Sequence, residues 1–298
     1  MQSLSSIADH IRWAASRFTE AGLFFGHGTD NALDEAAALV LHTLHLPPDL
    51  SSSWLNCRLT EEERTRVVDQ IKQRIERRIP LPYLTGEAWF AGLPFHVNEH
   101  VLIPRSPMAE LIQRHFSPWI ESSDISQVLD LCCGSGCIGI ATAAYLEDCR
   151  VDLVDISPQA LDVARENVAA HGLVDRVTVI ESDLFQALSG NKYDLILSNP
   201  PYVGEAEMAM LPDEYRHEPV LALQADEDGL EIVRRILQQA GDFLEPHGIL
   251  IVEVGNSADA LAQRYPEIPF VWLEFAQGGE GVFALTAAEL TELAVKLK

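Results

Sequence analysis

The chain opens on amphipathic helical spacing. Ile7, Ile11, Ala14, Ala15 and Phe18 recur on one face, as do Leu33, Ala36, Ala37, Val40, Leu41 and Leu44 after a cap at Asp30 or Asn31. Thr60 followed by Glu63 is a capping box. It predicts a third helix with Val67, Val68, Ile71 and Ile75 inward, ended by Pro80 and Pro82. The other face of this helix carries Arg64, Arg66, Lys72, Arg74, Arg77 and Arg78, and reads as a solvated surface. From Tyr83 to Pro104 the pattern changes to Gly, Pro, aromatic and β-branched residues, read as a β-hairpin linker.

Beyond the linker, seven apolar runs behave as strands: 127–131, 150–155, 176–182, 193–198, 248–254, 270–275 and 281–286. Helical stretches such as SPQALDVARENVAAHG separate most of them. Apolar strands alternating with helices predict a parallel sheet covered on both faces. The short Gly-containing turn between the last two predicts an antiparallel hairpin there. The expected organisation is a helical domain over 1–80, a β-hairpin linker over 81–106 and an α/β domain with a seven-stranded, Rossmann-like sheet over 107–298.

Charge changes the picture of the partner. The net charge is −24, and it is uneven: residues 1–105 hold 13 acidic and 10 basic groups, while 106–298 hold 32 and 11. Such a surface repels nucleic acid, whose binding needs clustered Lys and Arg, and favours a basic partner; it also serves simple solubility. The N-terminus lacks the pattern of a secretory signal and no uncharged apolar run approaches 18 residues, so a cytoplasmic protein with no membrane partner is expected. Five cysteines, an odd number and without zinc-type spacing, are read as reduced thiols, with no metal site.

The candidate chemistry sits at strand ends. The first sheet strand runs into Asp130, Cys132, Cys133, Gly134, Ser135 and Gly136 before a helix. Its glycines allow a sharp turn and close approach to a ligand, and Gly139 completes a G-x-G-x-x-G match. The second strand ends at Asp155, whose carboxylate can accept from a ribose diol or cap the helix that follows. Both features fit a nicotinamide dinucleotide and S-adenosylmethionine equally. After the third strand, Asp183, Leu184 and Phe185 could sandwich an adenine. The fourth strand ends in Asn199, Pro200, Pro201 and Tyr202. The Asn199 side-chain oxygen and the Pro200 carbonyl are two acceptors that match the two hydrogens of a planar NH₂ group, and Tyr202 offers a ring face to a flat amide or base.

The GSG loop with Asp155, followed by NPPY, resembles the class I methyltransferases that act on exocyclic or amide nitrogen. The helical N-terminus, YLTGEAWFAGLPF and VLIPR are similar to the protein glutamine methyltransferases over nearly the whole chain. Within that family, Ser106, Pro107, Met108 and Ala109 depart from the release-factor branch. Those four, with YRHEPVLAL, DEDGL, VEVGNS and WLEFAQGGEGVFALT, resemble the branch acting on the third protein of the large ribosomal subunit. Glu280 stands where that branch is expected to carry histidine.

The resemblance implies S-adenosylmethionine as cofactor, contacted by Cys132 to Gly136 and Asp155 with Leu184 beside the adenine. It implies that Asn199, Pro200, Pro201 and Tyr202 hold the glutamine, with Asn199, Pro200 and Tyr202 catalytic. Asp130, Asp183 and Asn199 are also expected at the cofactor. The basic ribosomal protein, met free before assembly, is the expected partner. Release factors are the alternative substrate, and DNA adenine a more distant one.

Overall fold

Side-chain caps fix where the N-terminal helices begin. The computed structural model describes residues 4–226 and 228–293. Helix α1 (Ile7–Glu20) starts at Ser6, α2 (Ala32–Thr43) at Asn31, and α3 (Glu61–Arg77) at Thr60. Thr60 and Glu63 form the expected box, the Glu63 carboxylate accepting the Thr60 N–H at 2.8 Å. The inward faces bury Phe18, Leu39, Val67 and Ile71 in one cluster. Arg78, at φ 56°, ends α3 in the left-handed region. Pro82 does not act as a breaker: it falls in the first turn of a new short helix, α4 (Leu81–Thr85), where its missing N–H is harmless. The hairpin is therefore shorter than expected. It comprises β1 (Glu87–Phe90) and β2 (Leu93–His96), joined by Ala91 and Gly92, both at positive φ as a tight two-residue turn requires.

By its internal contacts the chain divides into Met1–Ala88 with Pro212–His217, and Trp89–Leu211 with Glu218–Lys298. The excursion at Pro212–His217 explains a departure from the sequence reading. Arg74, expected in solvent, is 1% exposed. Its Nε donates to Glu35 at 2.6 Å, its Nη1 to Glu214 at 3.3 Å and its Nη2 to the Phe24 carbonyl at 2.9 Å. Arg78 also donates to Glu214. Arg66, Lys72 and Arg77 remain exposed. Burial alone would push the Glu214 carboxyl up, but the Phe24 N–H and the two guanidinium groups hold it below the usual range. Removing one member of such a network strands the others without solvent. Arg74→Ala is therefore expected to destabilise the chain by about 3–5 kcal/mol, measured by urea unfolding, whereas Lys72→Ala should change little.

The second unit is built on β3 (Gln127–Leu131), β4 (Arg150–Asp155), β5 (Val177–Glu181), β6 (Tyr193–Ser198), β7 (Leu244–Glu253), β8 (Val271–Trp272) and β9 (Val282–Thr286). Their order is β5-β4-β3-β6-β7-β9-β8, seven strands as expected. β3 to β7 run parallel, and β9 pairs antiparallel with both β7 and β8. The sixth apolar run yields only Val271 and Trp272 as strand, because it lies at the edge with one partner.

Alternate residues feed two separate cores. Val128, Leu195 and Ile251 point to one face with Ile112 of α5 (Met108–Gln113), Ile140 of α6 (Cys137–Tyr145) and Leu161 of α7 (Pro158–Ala170). Leu129, Ile196 and Leu250 point to the other. There they meet Ile236 of α8 (Glu231–Gln239), Leu261 of α9 (Ala258–Arg264) and Leu290 of α10 (Ala287–Leu293). This is the doubly covered α/β sheet that uniformly apolar strands require. No helix among the described residues is long and apolar enough to cross a membrane.

Candidate active site

Parallel register brings four strand tips to one level. Leu131 pairs with Val154 and with Ser198, and Asp155 pairs with Glu181. The residues that follow these tips therefore meet at the carboxyl edge of the sheet, where the strand order reverses between β4-β3 and β3-β6, the location at which open α/β sheets bind ligands. A cavity of about 220 Å³ lies there.

The loop after β3 forms its floor. Cys132, Cys133, Gly134 and Ser135 line it. Gly134 (φ 54°) and Gly136 (φ 77°) lie in the left-handed region, and so does Cys132 (φ 58°), which lacks a glycine's freedom. A Cβ on Gly134 would meet no heavy atom within 4 Å, so the backbone here faces open space. Gly139 has a different task. A Cβ there would come within 2.3 Å of Leu153, so its bareness lets α6 press on β4. Asp130 and Gly136 are not part of the lining. Asp130 is fully buried beneath the loop, where its Oδ2 accepts the Gly139 N–H at 2.8 Å. Burial pushes its carboxyl up to about 7, and the neighbouring Asp155 charge adds to this.

Asp155 lines the cavity and buckles the loop. Its Oδ2 accepts the Gly134 N–H and its Oδ1 the Ser157 N–H, both at 2.9 Å. An ionised carboxylate offers about four lone-pair positions, so capacity remains for a ribose diol. Burial raises its pKa, partly offset by these N–H groups. Asp183 and Leu184 line the next wall, Leu184 at φ 50°. Both Asp183 oxygens accept from Arg235 Nη2 on α8 at 2.7 Å. Two non-glycine residues held at positive φ in one cavity, Cys132 and Leu184, are strain of the kind that functional sites store. Phe185 is buried in the core instead, stacked on Phe243.

A bare glycine turn, a buried carboxylate with spare acceptor capacity and an apolar residue beside Asp183 are groups that would suit S-adenosylmethionine.

Asn199 and Pro201 line the same cavity; Pro200 and Tyr202 lie just outside the lining. The Asn199 side chain makes no hydrogen bond among the described residues, which leaves its amide available. Tyr202 is braced from several directions. Its carbonyl accepts from Ser257 Oγ at 2.8 Å, and its hydroxyl donates to Glu253 Oε1 at 3.3 Å. A Cβ on Gly255 would sit 2.6 Å from its ring, and one on Gly229 would sit 2.3 Å from its carbonyl oxygen. The segments DEDGL and VEVGNS thus converge on the NPPY turn. YRHEPVLAL contributes Glu218, 3% exposed, whose carboxylate takes both Arg105 Nη groups at 2.8 and 3.1 Å.

Several lining residues escaped the sequence reading. Val101, Leu102, Pro104 and Arg105 belong to a stretch taken as linker, and Leu221, Ala222 and Arg235 lie far along the chain. The first four lie within VLIPR, and Leu221 and Ala222 within YRHEPVLAL, so the family resemblance was their only signal, and Arg235 carried none.

The site thiols are chemically quiet. Cys133 and Cys137 are buried, and burial pushes the thiols of Cys132 and Cys133 far up and that of Cys137 to about 12. Cys149 is pushed up to about 11 for the same reason. Cys57 is exposed. Iodoacetamide on the native chain near neutral pH is expected to alkylate Cys57 alone, with the other four reacting only after denaturation; mass mapping of labelled peptides checks this.

Comparison with known proteins agrees with the geometry. Residues 9–86 match the PrmC N-terminal domain and residues 111–212 the methyltransferase small domain. A ribosomal protein uL3 glutamine methyltransferase of Francisella tularensis is 49% identical over 98% of this chain and 93% of its own. Another of that name from Neisseria meningitidis serogroup A is 49% identical over 97% and 95%. Among solved structures, the hMettl16 catalytic domain bound to a MAT2A 3'UTR hairpin covers 76% of this chain and 81% of its own. It has a TM-score of 0.51 and 18% identity, which speaks to the fold alone.

Proposed function

The chain belongs to the uL3 glutamine methyltransferase family, and from that premise we propose that it transfers a methyl group to the side-chain amide nitrogen of a glutamine in ribosomal protein uL3. The observation that carries this reading is that Asn199, the start of the NPPY turn, lines the same cavity as Gly134 and Asp155.

The bound cofactor supplies an electrophilic methyl on a cationic sulfur. A carboxamide nitrogen attacks poorly, because its lone pair is delocalised into the carbonyl. The residues therefore act by orientation: Asn199 Oδ1 and the Pro200 carbonyl accept the two N–H groups and aim the nitrogen, and Tyr202 backs the amide plane. Each such neutral bond contributes only about 0.5–1.5 kcal/mol, whereas holding two reactants in line supplies about 7–11 kcal/mol. The nitrogen lone pair forms the new N–C bond as the methyl's bond to sulfur breaks, its electron pair staying on sulfur, and the methylated amide then releases one N–H proton to water.

The acidic second part of the chain suits capture of free, basic uL3 in the cytoplasm and disfavours docking on assembled RNA or on DNA. The test is incubation with methyl-labelled S-adenosylmethionine and, separately, free uL3, intact ribosomes, a release factor and DNA. Label on a uL3 glutamine, faster on the free protein, is expected. Label on the release factor or on DNA instead refutes the substrate, and faster labelling of intact ribosomes refutes capture before assembly.

A further inference from the structure

A fifth strand tip, that of β7, adjoins the four around the cavity. Ser198 of β6 pairs with Val252 of β7, so the next residues, Asn199 and Glu253, stand side by side at the edge of the sheet. Glu253 is 6% exposed. Its Oε2 accepts from Ser106 Oγ at 2.5 Å and its Oε1 from the Tyr202 hydroxyl at 3.3 Å. Ser106 Oγ in turn accepts the Met108 N–H at 3.2 Å, which fixes the direction of its own proton toward Glu253. The Arg105 charge also acts on this carboxyl, while its own guanidinium is engaged by Glu218.

A buried carboxylate is costly unless donors surround it, and packing alone could be met by an apolar side chain. Here the two donors come from segments far apart in the chain: Ser106, which lines the cavity directly after VLIPR, and Tyr202, which closes the NPPY turn. Glu253 bridges them. The Tyr202 ring also lies close enough to Gly255 that a Cβ there would sit 2.6 Å from it.

We propose that Glu253 is a positioning residue for methyl transfer: held by Ser106, it fixes the Tyr202 ring and with it the plane in which the substrate amide is presented beside Asn199. This rests on the glutamine reading above. Cofactor affinity should not depend on it, since Glu253 bonds Ser106 and Tyr202 whereas Asp155 bonds Gly134 and Ser157.

The test uses the full chain with Tyr202→Phe, Glu253→Gln and the double variant, plus Ser106→Ala as a milder probe. Glutamine keeps the shape of Glu253 but removes its charge and presents an NH₂ to one of the two hydroxyls, which must then turn from donor to acceptor, weakening the hold on Tyr202. On uL3, Tyr202→Phe and Glu253→Gln are each expected to lose about tenfold to a hundredfold in kcat. Affinity for S-adenosylmethionine and the melting temperature should stay near wild type. The double variant should fall no further than the weaker single, as residues acting through one contact do.

Losses that multiply in the double variant, or a Glu253→Gln enzyme with wild-type kcat, overturn the proposal. A readout free of turnover separates it from the substrate reading. Fluorotyrosine placed at 202 should give one sharp ¹⁹F resonance in the parent chain and a shifted or broadened one with Ser106→Ala or Glu253→Gln. An unmoved resonance overturns the positioning role, whereas a wild-type enzyme that fails to label uL3 overturns only the substrate assignment.

Discussion

Asn199→Ala is expected to lower turnover by at least about a hundredfold while S-adenosylmethionine still binds. The residue sits at the end of β6 with its side-chain amide unclaimed by the described protein, and alanine removes the oxygen that would take one of the two substrate N–H groups. The direct hydrogen bond accounts for little of that loss, about tenfold at most at 0.5–1.5 kcal/mol. The rest comes from orientation, because a displacement of about 1 Å from the line of attack costs about a hundredfold. The glycine loop proposed to face the cofactor is untouched, since Gly134 is buckled by Asp155 on the neighbouring strand. Isothermal calorimetry for the cofactor beside single-turnover methylation of uL3 separates the two effects. A variant that loses cofactor affinity and keeps its rate when saturated would assign Asn199 to cofactor binding instead.

Asp155→Ala should do the reverse. Its carboxylate has two duties: it accepts the Gly134 and Ser157 N–H groups, and it faces the cavity where a ribose diol would sit. Hydrogen bonds to a charged group are worth about 1.5–3 kcal/mol each, so losing the ribose contact and loosening the Gly134 turn together should weaken S-adenosylmethionine binding by at least about a hundredfold. At saturating cofactor, kcat should recover much of its value, because the residues proposed to hold the amide follow β6 instead. Asp155→Asn keeps one oxygen acceptor and should fall between. Unchanged affinity by calorimetry in the alanine variant would remove the ribose role, and the same loss in kcat as in affinity would mean that the loop also orients the methyl.

Arg105 and Glu218 show why part of the site was invisible along the chain. They are separated by 113 residues and meet in a two-pronged ion pair, yet neither sits in a periodic pattern or a turn signature that marks it. Glu253 is hidden for the same reason. Its residues VEVGNS ended an apolar strand and read as part of a family signature, but the partners that give the carboxylate meaning, Ser106 and Tyr202, come from 147 and 51 positions away. Asp130 was legible as a residue at a strand end but not as a support: the sequence places it next to the glycine loop, and only the fold turns its side chain down to the Gly139 N–H. The basic face of α3 divided likewise, since Arg74 finds Glu214 140 residues on.

What the sequence determined by itself is what local physics encodes. Capping side chains set the starts of α2 and α3; runs of apolar residues made doubly covered strands; glycines marked the turn after β3; and Asp155 and Asn199 followed strands whose parallel order put their ends together. Each of these depends on neighbours within a few residues or on the one rule that parallel strands share an edge. The tertiary structure alone decided which charges are buried, which carboxylates brace the NPPY turn, and that Pro212–His217 packs with the N-terminal helices. A charged side chain carries no periodic mark of its future partner, and whether it ends in solvent or in a desolvated pair is set only when distant segments close around it.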